Sequence, residues 1–288
     1  MKVGFAGLGV MGAPMAGHLL DKGFDLTVWN RTAEKMKPLV ERGAKGAKSL
    51  EDLAVKVDLL FLCVNRTEDV RECIEAVKQT IRSGSIVVDH STIEPEATIQ
   101  MHGELSTRGV EMIDAPVTGG SMGAQAGTLT VFCGGDEGAI EKIRPVVASY
   151  AKRMERVGGP GTGQTAKLAN QIAVAGALLA LCEALSFAKK AGLELPQIRE
   201  LIGGGAGGSW AFEHYGAKIL ERDWTPGFSI SNQRKDLSYC RGAAIALDAA
   251  IPGAELVDRL LQFLDEEGRG EWTTAALYEQ LLCMGYDA

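Results

Sequence analysis

The stretch Val3-Gly4-Phe5-Ala6-Gly7-Leu8-Gly9-Val10-Met11-Gly12-Ala13-Pro14-Met15-Ala16-Gly17-His18-Leu19-Leu20 decides the fold. Val3 to Ala6 reads as a short buried strand, and Gly7-Leu8-Gly9-Val10-Met11-Gly12 follows it at once. Ala13 to Leu20 then reads as a helix, closed by Asp21-Lys22-Gly23. A G-x-G-x-x-G alone could be a flexible turn, but between a strand and a helix it is the dinucleotide-binding fingerprint. Gly7 permits the tight turn, Gly9 lets the backbone approach a pyrophosphate, and Gly12 lets the helix pack close to the strand. Free N–H groups and the macrodipole at the helix N-terminus favour the phosphates.

Outward from this unit, strand and helix patterns alternate. The strand Asp25 to Trp29 ends at Asn30-Arg31-Thr32, where an NAD-selective site usually has an acid for the adenine ribose. No acid occurs until Glu34. Asn30 can hydrogen-bond a hydroxyl or phosphate, and Arg31, with Thr32 beside it, supplies charge for a 2′-phosphate. The competing reading is a solvated arginine at the start of a helix. The prediction is NADP(H) in preference to NAD(H). Val57 to Val64 and Ser85 to Asp89 are continuous apolar runs, as strands covered on both faces require. They end in Asn65-Arg66-Thr67 and His90-Ser91-Thr92. Ligands of open α/β sheets lie at the carboxyl ends of strands, which places Val64, Asn65 and Thr92 near the nicotinamide half. His90 has no obvious acid partner and is read as a residue behind the site. Val110 to Val117 leads into a Gly-rich turn, Thr118-Gly119-Gly120-Ser121-Met122-Gly123-Ala124, before the Gly127 to Gly135 strand. Successive amides beside the Thr118 hydroxyl suit a carboxylate, although a plain hairpin loop has the same composition.

A long helix is predicted from about 163 to 190, with an apolar run from Ile172 to Ala188. Lys167 is the sole charge between Arg156 and Glu183, with Gln164, Asn170 and Gln171 on its face at i−3, i+3 and i+4. A cation ringed by amides on an apolar helix marks a site; the bland alternative is a lysine snorkelling to solvent. Further on, Gln197 to Ile202 is a short helix, and Gly203 to Ser209 is a Gly-rich linker before Trp210. Trp210 and Phe228 are candidate pocket-wall residues. Ile230 to Leu247 reads as a helix carrying Lys235 and Asp236, a pair that spacing alone would assign to surface charge. Glu255 to Glu266 and Thr273 to Met284 read as amphipathic helices, and no strand pattern follows Arg153 to Val157. The predicted organisation is an α/β Rossmann domain with a mostly parallel, doubly wound sheet over 1–161. An all-helical domain for substrate and oligomer contacts follows over 162–288.

A chain of 288 residues is long enough for two domains and a sizeable core. The net charge of −7, with no Lys/Arg cluster, argues against a nucleic-acid partner. The four histidines lack metal-ligand spacing, so no metal is expected. Cys63, Cys73, Cys133, Cys182, Cys240 and Cys283 are scattered without a C-x-x-C pair, which reads as free thiols in a reducing compartment. Met1-Lys2-Val3-Gly4 runs straight into the strand pattern, and the run after Lys167 meets a charge at Glu183. The expectations are therefore no signal peptide, no membrane span and a cytoplasmic location.

Four motifs in order give the chain a more specific likeness. They are Gly7-Leu8-Gly9-Val10-Met11-Gly12, Asp114-Ala115-Pro116-Val117-Thr118-Gly119-Gly120, Gly163-Gln164-Thr165-Ala166-Lys167-Leu168-Ala169-Asn170 and Lys235-Asp236-Leu237. With them the chain resembles the β-hydroxyacid dehydrogenase family nearly end to end. The resemblance implies reversible oxidation of a small hydroxy acid with a nicotinamide cofactor, and a homodimer or homotetramer. It implies Lys167 as catalytic, and Thr118, Gly119, Gly120, Asn170 and Asp236 at the carboxylate substrate. It also implies Thr92 on the cofactor and Lys235 over the nicotinamide region. Thr118 stands where the family often has serine, and Asn65-Arg66, His90 and Ser231-Asn232-Gln233-Arg234 are less usual. These departures leave glyoxylate, succinic semialdehyde, 3-hydroxyisobutyrate, serine and threonine open as substrates. An imine reductase fits less well, because such relatives tend to lack the lysine. A non-catalytic cofactor-binding scaffold has no need of one.

Overall fold

A computed structural model describes residues 1–284. The chain divides into two compact units, with the boundary between Lys167 and Leu168. The predicted boundary lay a few residues earlier, at 161/162, and the end of the predicted second domain, 285–288, lies outside the described residues.

In the first unit the elements alternate as the sequence pattern predicts. They run β1 (Lys2–Ala6), α1 (Gly12–Asp21), β2 (Asp25–Trp29), α2 (Lys37–Glu41), β3 (Lys45–Gly46), α3 (Leu50–Ala54), β4 (Leu59–Leu62) and α4 (Thr67–Val77). There follow β5 (Ile86–Asp89), α5 (Pro95–Ser106), β6 (Glu111–Asp114), β7 (Val117–Thr118), α6 (Gly120–Ala126), β8 (Leu129–Gly134), α7 (Glu137–Val147) and β9 (Ala151–Gly158). The sheet order is β3-β2-β1-β4-β5-β6-β8-β7, with β9 on β8. From β3 to β6 all pairs are parallel, and β8 turns antiparallel to β6 and β7. This is the doubly wound Rossmann order, which reverses at β1/β4. The central strands are apolar throughout because both faces are covered. Leu59, Phe61, Ile86 and Val88 join one buried cluster, whereas Leu60, Leu62 and Val87 join the other. The Gly-rich stretch after Thr118, read as a turn, instead forms the short helix α6. Gly119 at φ +125° and Gly127 at φ +68° bracket it, so glycine serves the two ends where the chain must turn.

The second unit is helical. The helix α8 (Thr162–Lys190) enters it, followed by α9 (Leu195–Gly203), α10 (Trp210–Glu221), α11 (Ile230–Leu247), α12 (Pro252–Leu264) and α13 (Leu277–Cys283). Ser209 and Ser229 cap α10 and α11 by accepting the N–H groups of Phe212 and Asn232. By length and composition α8 is apolar enough to cross a membrane, a test that core helices also pass, while its charge-free run still stops at Glu183 as the sequence indicates. Every 18-residue window within it holds at least one of Lys167, Glu183, Lys189 and Lys190, and 44% of the qualifying window is buried. The buried side holds Ala175, Leu178, Leu181, Cys182 and Leu185, which pack into the second unit's own core. Ala169, Ala173, Gly176, Ala180 and Phe187 lie along its exposed side.

Candidate active site

The glycine loop joins β1 to α1 as the fingerprint requires. Gly7 has φ +95°, and a Cβ there would stand 2.2 Å from the carbonyl oxygen of Cys63; one on Gly12 would stand 1.9 Å from that of Gly7. Both glycines are thus demanded by the chain itself. Gly9 differs, because a Cβ on it would meet nothing within 4 Å. Open backbone at the middle glycine fits a dinucleotide pyrophosphate approaching there. Leu8 is buried, while Gly9 and Val10 are exposed beside the N-terminus of α1.

Asn30 holds this loop in place. Its Oδ1 accepts the Leu8 N–H at 2.8 Å, and its Nδ2 donates to the Thr32 carbonyl at 2.9 Å. Arg31 projects outward with its side chain 81% exposed, paired with Asp69 at 3.4 Å. An exposed pair of that length contributes little and leaves the guanidinium able to take another anion. Thr32 is exposed beside it.

The carboxyl ends of β4, β5 and β6 carry the next residues. The Val64 N–H donates to Ser91 Oγ at 2.9 Å, tying the segment after β4 to the segment after β5. Asn65 is exposed and Thr92 half-buried. His90 is buried, its Nδ1 donating to the Ala115 carbonyl at 2.6 Å and its Nε2 accepting from the Tyr150 hydroxyl at 2.8 Å. A carbonyl can only accept, which fixes the proton on Nδ1. Burial pulls the imidazole pKa down to about 4, so the ring is neutral. His90 therefore braces the segment that leads to Thr118, and it stacks on Phe61 at 5.5 Å. Thr118, Gly119 and Gly120 are half-buried, and a Cβ on Gly120 would meet open space.

Asp114 anchors the start of α8. Its carboxylate accepts the Gly161 N–H at 2.9 Å, the Gln164 N–H at 2.8 Å and the Gly163 N–H as well. Burial raises its pKa and these bonds oppose the rise. The approach is close enough that a Cβ on Gly163 would stand 2.6 Å from the carbonyl oxygens of Asp114 and Phe132. One turn into the helix, Lys167 is only 7% exposed, which rules out the solvated lysine.

Within the second unit a polar line joins the other candidates. Asn170 Nδ2 donates to Gln171 Oε1 at 3.0 Å, and Gln171 Nε2 donates to Asp236 Oδ2 at 2.6 Å. Asp236 Oδ1 lies 3.0 Å from Lys235 Nζ. The Lys235–Asp236 pair is thus nearly buried rather than a surface pair, and Lys235 also lies over the Tyr239 ring at 5.4 Å. Trp210 is 46% exposed and stacks on His214 at 4.2 Å, while Phe228 is half-buried before the Ser229 cap. The chain pattern carried no sign of the Asp114 anchor, of Tyr150 beneath His90 or of the Gln171–Asp236 bond.

The chain is similar to known proteins along nearly its whole length. Residues 2–159 match the family described as the NAD binding domain of 6-phosphogluconate dehydrogenase. Residues 161–281 match the one described as NAD-binding of NADP-dependent 3-hydroxyisobutyrate dehydrogenase. The chain is 39% identical to the probable 3-hydroxyisobutyrate dehydrogenase-like 1, mitochondrial, of Arabidopsis thaliana, over 96% of this chain and 84% of that one. It is 34% identical to the 2-hydroxy-3-oxopropionate reductase of Escherichia coli, over 99% and 98%. Among solved structures, the 3-hydroxyisobutyrate dehydrogenase of Mycobacterium tuberculosis with L-serine superposes at a TM-score of 0.89. That chain is 28% identical, with 97% of this chain and 98% of it covered.

The His90 brace yields a pH test. Folding lowers the imidazole pKa from 6.5 to about 4, so the unfolded chain binds the extra proton across that window. The resulting stability is present in full above pH 6.5 and falls as pH drops through 6.5 toward 4, by roughly 3 kcal/mol at 1.36 kcal/mol per unit. Urea unfolding of the wild type should steepen its pH dependence over this range, and His90→Asn should flatten it by up to about one proton. Equal slopes for the two proteins would refute the neutral brace.

Proposed function

Because this chain belongs to the β-hydroxyacid dehydrogenase family, whose members act on CH–OH donors, we propose that it is an NADP(H)-dependent reductase of a small carboxylate-bearing aldehyde. Glyoxylate and succinic semialdehyde are the preferred candidates. The observation that carries this reading is Lys167, buried one turn inside a helix whose start is anchored on Asp114, in a chain that also holds the open Gly9 backbone.

When bound, the nicotinamide supplies or accepts the hydride. The protein holds the reactants and moves the proton. In reduction the Lys167 ammonium donates a proton to the carbonyl oxygen, and in oxidation the Lys167 amine takes the hydroxyl proton back. Thr118 and the Gly119–Gly120 amides bind the substrate carboxylate, and Asn170 holds its hydroxyl. Thr92, Val64 and Asn65 line the nicotinamide end, and Arg31 with Thr32 binds a 2′-phosphate. Asp236, bonded to Gln171 and paired with Lys235, contacts the substrate beside Asn170, and Lys235 contacts the cofactor. The lack of an acid at the end of β2 and the exposed Arg31 guanidinium favour NADP(H). A second reading, oxidation of 3-hydroxyisobutyrate or serine, is favoured by the identity to the Arabidopsis relative and by the L-serine bound to the mycobacterial one.

The exposed side of α8 supports a homo-oligomer formed through the helical unit. Ala169, Ala173, Gly176 and Ala180 repeat at helical spacing, and small residues let a second helix approach closely.

Nicotinamide absorbance with a panel of aldehydes and hydroxy acids reads the substrate. Lys167→Ala should lower kcat by about 10²–10⁴-fold with the NADPH Kd near wild type; lost cofactor affinity with intact chemistry would sink the assignment. Arg31→Ala should weaken NADPH by about 10-fold or more, the scale of a charge-assisted bond, and leave NADH unchanged. A wild type indifferent to the 2′-phosphate overturns the preference. Light scattering should find a dimer or larger species that Gly176→Arg shifts toward monomer, since among the described residues a Cβ there meets nothing within 4 Å outside its own helix turn. A monomeric wild type counts against the oligomer.

A further inference from the structure

Gln164 stands three residues ahead of Lys167 in α8 and is fully buried. Its Oε1 accepts the backbone N–H of Ile93 at 3.1 Å, and its Nε2 donates to the backbone carbonyl of Ser91 at 2.8 Å. Only one amide orientation satisfies both, since an N–H donates and a carbonyl accepts. These two backbone groups flank Thr92. Beyond His90, whose N–H makes the last bond to β4 at the Leu62 carbonyl, the chain leaves its strand pairing, and buried main-chain groups there need partners. The Gln164 carboxamide supplies them, pairing with the segment as a neighbouring strand would. The main-chain N–H of the same residue is held by Asp114 on β6. Ser91 is fastened as well, its N–H donating to Asp89 Oδ1 at 3.0 Å and its Oγ accepting from Val64. One residue thus joins the start of the Lys167 helix to the segment that carries Thr92, at both ends of a single amide.

We propose that Gln164 is a positioning residue, which fixes Lys167 relative to Thr92 and so relative to the nicotinamide end of the cofactor. This rests on reading Lys167 as the acid–base group and Thr92 as a cofactor contact. Proton and hydride must be delivered to adjacent atoms, and errors near 1 Å in such placement cost about 100-fold in rate. In α8 the rise from Gln164 to Lys167 is about 4.5 Å, less than one turn, so little compliance separates the anchor from the ammonium. An amide that served only to stabilise the fold would lower the melting temperature without any link to Lys167. A positioning amide acts through that lysine, and its effect disappears when the lysine is gone.

A double-mutant cycle of Gln164→Met, Lys167→Ala and both together separates these roles. Turnover is measured on glyoxylate and succinic semialdehyde with NADPH, cofactor Kd by fluorescence, and amide exchange at Ile93 by hydrogen–deuterium exchange. Gln164→Met should lower kcat by about 10–100-fold. It should leave the NADPH Kd within about threefold of wild type and speed exchange at Ile93, while the double variant is no slower than Lys167→Ala within about twofold. Gln164→Met at wild-type kcat, additive losses in the double variant, or unchanged Ile93 protection would each overturn the proposal. Full turnover by Lys167→Ala marks failure of the acid–base reading instead, whereas an inactive Lys167→Ala beside a fully active Gln164→Met defeats the positioning role alone. If Gln164→Met does not fold, Gln164→Glu keeps the shape and the acceptor for Ile93 but, when ionised, has no donor for Ser91. The same outcomes then decide.

Discussion

The carboxylate of Asp114, buried at the end of β6, is the group on which the candidate site depends. An α-helix starts with N–H groups that have no partner in the helix itself, and burying them unpaired is costly. Asp114 accepts those of Gly161, Gly163 and Gln164. The exchange satisfies both sides, because a carboxylate taken out of water needs donors and a positive helix end. Gly163 and Gly134 are glycines for the same reason, since a Cβ on Gly134 would lie 2.5 Å from the carboxylate. A helix of 29 residues is launched from this contact, and Lys167 takes its place in the first unit from it.

Around that anchor, most polar side chains at the sheet's carboxyl end bond to the protein's own backbone. Asn30 steadies the glycine loop, Ser91 ties two strand ends together, and His90 holds the Ala115 carbonyl above Tyr150. Gln164 does the same for the Thr92 segment. Loops at a parallel sheet's edge lack ladder bonds, so rigidity there must come from side chains. The Gly9 backbone, Gly120 and the Arg31 guanidinium have room on one side, and they are among the groups proposed to face ligands. In the second unit the same economy joins Asn170, Gln171, Asp236 and Lys235 into one chain of contacts.

This division of labour accords with membership of the β-hydroxyacid dehydrogenase family and its NAD(P)-binding domain. The chemistry resides in the cofactor, so the protein has to hold, orient and exchange one proton. The proposed acid–base group, Lys167, stands on a helix begun at a buried carboxylate, so the parts that hold it are local.

The glycine fingerprint, the two-faced apolar strands, the helical second half and the isolated Lys167 were all legible along the chain. Each is a pattern over neighbouring residues, set by local sterics or by the period of a strand or helix. The helix α6 was hidden by its own glycines, which signal a turn until their φ values show them at the helix ends. The apolar α8 could be read as a long buried helix, but which of its residues enter the core depends on what packs against Leu178 and Leu185. Asp114 meets Gln164 across 50 positions, Gln164 meets Ser91 across 73, and His90 meets Tyr150 across 60. No periodicity records such pairs. A polar residue in an apolar run announces that it needs a partner, but folding alone chooses which backbone group is brought within 3 Å of it.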